Sequence, residues 1–133
     1  MMNNLKKYLY IFISALVLNV AWEHVHSLLY IHYKSAPITE YILFRAALFD
    51  AVLITLVVYL FLTVTDFKNK LLLVVLTLLF FAILLELWAL ETGRWAYTEF
   101  MPIIPFINTG LTPTIQLGLL GYLSILISHH VKR

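Results

Sequence analysis

The chain contains no cysteine, which excludes disulfides, thiolate nucleophiles and cysteine-held metals and leaves the redox compartment unread. Charge is scarce too. Only 12% of the 133 residues are Asp, Glu, Lys or Arg, about half the share in a soluble domain, while 62% are hydrophobic and the mean hydropathy is +0.93. With four glycines and four prolines there is no Gly/Ser linker, and no low-complexity tract or internal repeat is evident. The small net charge of +2 comes from Lys and Arg at the ends of apolar runs. That pattern points to membrane anchoring and away from nucleic acid.

What is present is four apolar stretches, at about 5–29, 41–63, 70–90 and 111–129. Each is close to the ~20 residues that a helix needs to cross a bilayer, and none alternates strictly as a barrel strand would. The expected fold is therefore an all-α membrane protein. Four transmembrane helices form an antiparallel bundle, with a re-entrant or interfacial loop between helices 3 and 4. Residues 1–133 make one integral membrane domain with no room for a separate soluble module. Lys6-Lys7 before an apolar run suggests a signal peptide, but Asn19-Val20-Ala21-Trp22-Glu23 is no small-x-small cleavage site, so a retained first span is expected. The short polar connection Thr65 to Asn69 makes the second and third helices expected neighbours.

Lys6, Lys7, Lys68, Lys70, Lys132 and Arg133 fall on one side, and Lys34, Arg94 and Arg45 on the other. This bias predicts a multi-pass cell-membrane protein with both termini cytoplasmic. In that orientation Glu23, Asp50, Glu86 and Gln116, one from each helix, all lie in the outer half, where ionisable side chains are costly and call for a partner or a task. Asn19, Trp22, Glu23 and His26 follow the spacing of one helical face, while His24 lies off it. Arg45 and Asp50 are about 140° apart on an ideal helix, so at least one should pair with another helix, through Glu23 or Glu86.

The segment 92–110 is apolar for a loop, and Pro102 and Pro105 prevent a regular helix across it. It is expected to fold over the outer mouth as a lid. Gly93 suits the C-cap of the third helix, Arg94 an ion pair with Glu91 or Glu99 or a lipid phosphate, and Pro113 the first turn of the fourth helix. The run Gly93-Arg94-Trp95-Ala96-Tyr97, leading into a Pro-rich turn, resembles the aromatic stretch of small membrane carotenoid cyclases. The likeness covers under a fifth of the chain, and Phe106-Ile107 stands after Pro105 in place of the acidic pair the resemblance implies. No catalytic residue is carried over from it.

Glu23-x-x-His26 has the spacing of helical di-iron sites, but it occurs once, and no metal or cofactor is expected. Ser27, His26 and Asp50 lack a nucleophile-elbow context. Proton transfer is the natural chemistry of Glu23, His26, Asp50 and Glu86, the candidate catalytic set. Trp22, Arg45, Trp88, Arg94, Trp95 and Gln116 are the candidate substrate-binding residues. Two readings follow. One is an outer-leaflet polar cavity that binds, and by acid/base chemistry transforms, a lipid or isoprenoid-like molecule. The other is a non-catalytic membrane subunit or assembly factor whose polar groups hold helices together and whose apolar loop docks a partner. Expected partners are membrane lipids and a hydrophobic small molecule, with a protein partner or homo-oligomer allowed and no nucleic acid. An ion or proton pathway is disfavoured, because the inner half offers few polar groups.

Overall fold

The computed structural model describes residues 3–131, so Lys132 and Arg133, counted in the charge bias, lie outside the described residues. The described chain is mostly helical: α1 (Asn4–His26), α2 (Glu40–Tyr59), α3 (Lys70–Glu91) and α4 (Leu111–His130). A 3-10 turn (Ser27–Leu29) prolongs α1, and a π turn (Leu60–Val64) prolongs α2. Among the described residues, these four helices are long and apolar enough to cross a membrane. Their ends are set by local chemistry. The Asn3 and Thr39 side chains accept from Leu5 N and Ile42 N at the starts of α1 and α2. At the end of α3, Gly93 has φ +70°, and the amides of Gly93 and Arg94 donate back to the carbonyls of Leu90 and Ala89. This is the paired closure of a Schellman turn, in which a left-handed residue costs least as glycine.

The packing differs from a ring of sequential neighbours. α1 packs on α2 and α4, and α3 packs on α4, but α2 and α3 share little surface despite their short connection. α4 is the central helix: 56% of its apolar window is buried, against 17 to 28% in the others. α3 reaches α4 over two glycines. A Cβ on Gly121 would lie 2.5 Å from Leu78 Cδ1, and one on Gly118 would lie 3.0 Å from Leu79 Cγ. Leu78 and Ile54 flank Gly121 and, with Val58 and Val74, all fully buried, belong to one apolar core. On the Asp50 and Ala82 side of that core, α2 and α3 line an open gap.

A two-stranded ribbon was not expected from the sequence. β1 (Tyr30–Tyr33), between α1 and α2, pairs antiparallel with β2 (Trp95–Tyr97), between α3 and α4. Tyr30 faces Tyr97 and Tyr33 faces Trp95, with an irregularity between Tyr30 and His32. The ribbon thus ties the two inter-helix connections at one end of the molecule. Beyond β2 the chain stays non-helical through Pro102 and Pro105, buries Met101, and returns to α4 through the bond from Leu111 N to Pro102 O (2.7 Å). Phe100, Ile103 and Phe106 are left exposed on this loop.

Candidate functional site

A cavity of about 690 Å³ fills the gap between α2 and α3, backed by the end of α1 and the start of α4. Its walls are mostly apolar, among them Ile42, Phe49, Ala82, Leu85 and Leu117. Nine of the ten sequence-designated residues line it: Glu23, His26, Arg45, Asp50, Glu86, Trp88, Arg94, Trp95 and Gln116. Trp22 does not. It packs against the apolar core, and its indole Nε1 is the one buried side-chain nitrogen or oxygen without a hydrogen-bond partner among the described residues.

Gln116, in the second turn of α4, gathers one group from each of α1 and α2 and a second from α1. Its side-chain Nε2 donates to Glu23 Oε1 (2.8 Å), Asn19 Oδ1 (2.9 Å) and Asp50 Oδ2 (3.0 Å). Glu23 Oε2 in turn accepts from His26 Nε2 (3.0 Å), whose Nδ1 lies 3.2 Å from Thr112 Oγ1. The 3- and 4-residue spacing of Asn19, Glu23 and His26 on α1 aims all three at α4, and all are buried. His24, off that face, is exposed and pairs instead with Glu40 at the start of α2 (2.5 Å).

Glu86 is held separately. Oε2 accepts from Tyr97 Oη (2.5 Å) and Trp95 Nε1 (3.2 Å), and Oε1 accepts from Tyr30 Oη at 3.5 Å. Tyr97 Oη also accepts from the backbone amide of Gly110, so one phenol fastens the buried carboxyl to the start of α4. Burial and the neighbouring Glu86 charge push the Tyr30 and Tyr97 phenols above the usual tyrosine range, burial being the larger cause. Both therefore remain protonated donors at neutral pH. The rings themselves interlock: Tyr30 meets Trp95, Tyr97 and His26 edge-on, with centroids 5.2 to 6.0 Å apart.

The cations take a different course from the expected one. Neither Arg45 nor Arg94 forms an ion pair among the described residues, so Arg45 does not pair with Glu23 or Glu86, nor Arg94 with Glu91 or Glu99, while Asp50 does reach another helix through Gln116. Both donate to the phenol oxygen of Tyr33, Arg45 Nη2 at 2.7 Å and Arg94 Nη1 at 3.3 Å. Arg94 lies over the Trp88 ring at 4.4 Å, and Arg45 lies near the rings of Tyr33 and Tyr41. Glu23 and Glu86 accept from Gln116, His26 and the ribbon donors instead, and neither guanidinium meets a carboxylate among the described residues.

Tyr30, Tyr33 and Tyr97, absent from the residues designated by sequence, hold Glu86 and both arginines. One signal was available. A C-cap at Gly93 followed by Trp95-Ala96-Tyr97 puts Trp95 and Tyr97 on one face of an extended segment, directed back along the last turns of α3. Among the described residues, no group of three or more His, Asp or Glu side chains has the geometry to hold a metal ion. No protein-family model, curated protein or solved structure matches this chain.

Proposed function

We propose that the four helices span a cell membrane as an antiparallel bundle with both termini cytoplasmic. In this reading the cavity lies in the outer half, where it binds a hydrophobic lipid or isoprenoid-like molecule and exchanges protons with it. One observation carries the reading: an apolar-walled cavity between two helices that barely touch contains Glu23, His26, Asp50 and Glu86. A gap between membrane helices gives a hydrophobic substrate sideways access from the lipid, with no need to cross water. The Lys and Arg bias supports the orientation.

The hydrogen-bond inventory supports distinct roles for the acids. Gln116 Nε2 has two protons for three oxygen acceptors, so the set closes when a carboxyl supplies the missing proton. Glu23 already has His26 as a donor, whereas Asp50 has Gln116 and the neighbouring Glu23 carboxyl, so Asp50 is the member that carries the proton and gives it to Glu23. Glu86, with three donors aimed at it, is the carboxylate. Asp50 then serves as general acid and Glu86 as base, with Gln116 holding Asp50 and Glu23 in place. Protonation by Asp50 at one carbon of a double bond leaves a cation at the other, and Glu86 takes a proton from the carbon beyond that cation, which shifts the double bond with no oxidant or reductant consumed; a proton passed from Glu86 back to Asp50 restores both groups.

Comparing lipid extracts from cells with and without the protein tests this reading. A hydrophobic metabolite should change on expression, and Asp50→Asn and Glu86→Gln should abolish the change while the variants still purify folded. An unchanged lipid profile, together with a stoichiometric protein partner in the purified material, would favour the second reading. That reading, a non-catalytic subunit, rests on the exposure of Phe100, Ile103 and Phe106 on the 98–110 loop.

A further inference from the structure

The cavity's charges are sorted, not paired. Of the three acids that line it, Glu23 and Glu86 accept from Gln116, His26, Tyr97 and Trp95, and Asp50 accepts from Gln116. Its three cations, Lys34, Arg45 and Arg94, gather around a single neutral phenol at the more exposed rim. Arg45 and Arg94 converge on Tyr33 Oη, and Lys34 Nζ lies 5.6 Å from the centroid of the same ring. Lys34 is fixed there by a left-handed backbone (φ 48°) and by donating its amide to the Arg94 carbonyl at 2.6 Å. Like charges drawn together repel, and a tyrosine hydroxyl cannot offset three of them. Among the described residues, the bonds to Tyr33 leave most of the guanidinium donors without a protein acceptor.

We infer that this rim is an anion site, and that its ligand is a phosphate ester of a hydrophobic alcohol, with the phosphate held by Lys34, Arg45 and Arg94. The inference rests on the cavity-binding reading above and gives its ligand a head group. Guanidinium forks match the oxygens of phosphate bidentately, and three cations suit a dianionic phosphate monoester better than a monoanionic carboxylate. The apolar space between α2 and α3 begins directly beside the rim, so a hydrocarbon chain attached to the phosphate lies against Ile42, Phe49 and Leu85. Tyr33 is the neutral spacer that holds the two guanidinium groups in register for a ligand that bridges them.

Purified protein in phosphatidylcholine nanodiscs, titrated with geranylgeranyl phosphate, geranylgeraniol or inorganic phosphate and followed by tryptophan fluorescence, tests the site, since Trp88 and Trp95 line the cavity. The phosphate ester should bind at least about tenfold more tightly than the alcohol, as two charge-assisted hydrogen bonds allow. Arg45→Gln with Arg94→Gln should reduce that preference to near one. If the double variant does not fold, Arg45→Lys with Arg94→Lys, which keeps the charge and loses the fork, should lower the preference severalfold. Equal binding of ester and alcohol would overturn the anion site and leave the cavity reading standing. Inorganic phosphate binding as tightly as the ester would overturn the lipid assignment, and no binding by any probe would sink both.

Discussion

Gln116 is the residue on which the acid cluster depends, because its amide donates to Asn19 Oδ1, Glu23 Oε1 and Asp50 Oδ2 at once. Replacing it with Met keeps the volume and removes the donor, leaving buried acceptors unfilled at about 1–3 kcal/mol for each group. Gln116→Met is therefore expected to lower the unfolding midpoint in detergent clearly. Trp22→Phe is the contrasting case. The Trp22 indole N–H is buried without a partner, so removing it should leave stability unchanged or raised in the same thermal assay. A strong loss with Trp22→Phe would mean that the indole has a partner. The stripe Asn19, Glu23, His26 was legible because helical spacing alone sets its face. Gln116 as hub was not, since a single amide in an apolar helix carries no sign of how many acceptors will surround it.

The helices were legible almost to the residue, for a plain reason: apolar runs of span length bounded by Asn3, Thr39, Gly93 and Lys70 leave few other places to start or stop. The ribbon was invisible. Tyr30–Tyr33 and Trp95–Tyr97 are four and three residues long and more than sixty apart, too short to declare strands without each other. The separation of α2 from α3 was hidden as well, because a short connection reports where two helices are joined and nothing of where they part. The deciding contact is α3 against α4 over Gly121. Gly121→Val is expected to push Leu78 aside and destabilise by about 1–3 kcal/mol, read as a lower denaturation midpoint. An unaffected midpoint would show that the two helices have slack at that level.

At the scale of the whole molecule, orientation is open to a direct test because the chain has no cysteine. Single cysteines at Asp66 and Glu99, each exposed in a connection, can be labelled without background. In intact cells an impermeant maleimide should label Glu99→Cys and spare Asp66→Cys, with both labelled after lysis. The reverse pattern would invert the proposed topology and put the cavity in the inner leaflet. The ribbon has a mechanical meaning at this scale. It joins the connections flanking α2 and α3 at one end, while residues 65–69 join the same two helices at the other. The gap is thus a buttonhole, closed at both ends and able to widen only at its waist. Widening it enlarges the protein's in-plane footprint. In the proposed membrane setting, exchange of any occupant should then quicken in stretched bilayers and slow under high lateral pressure, making membrane tension a control on occupancy.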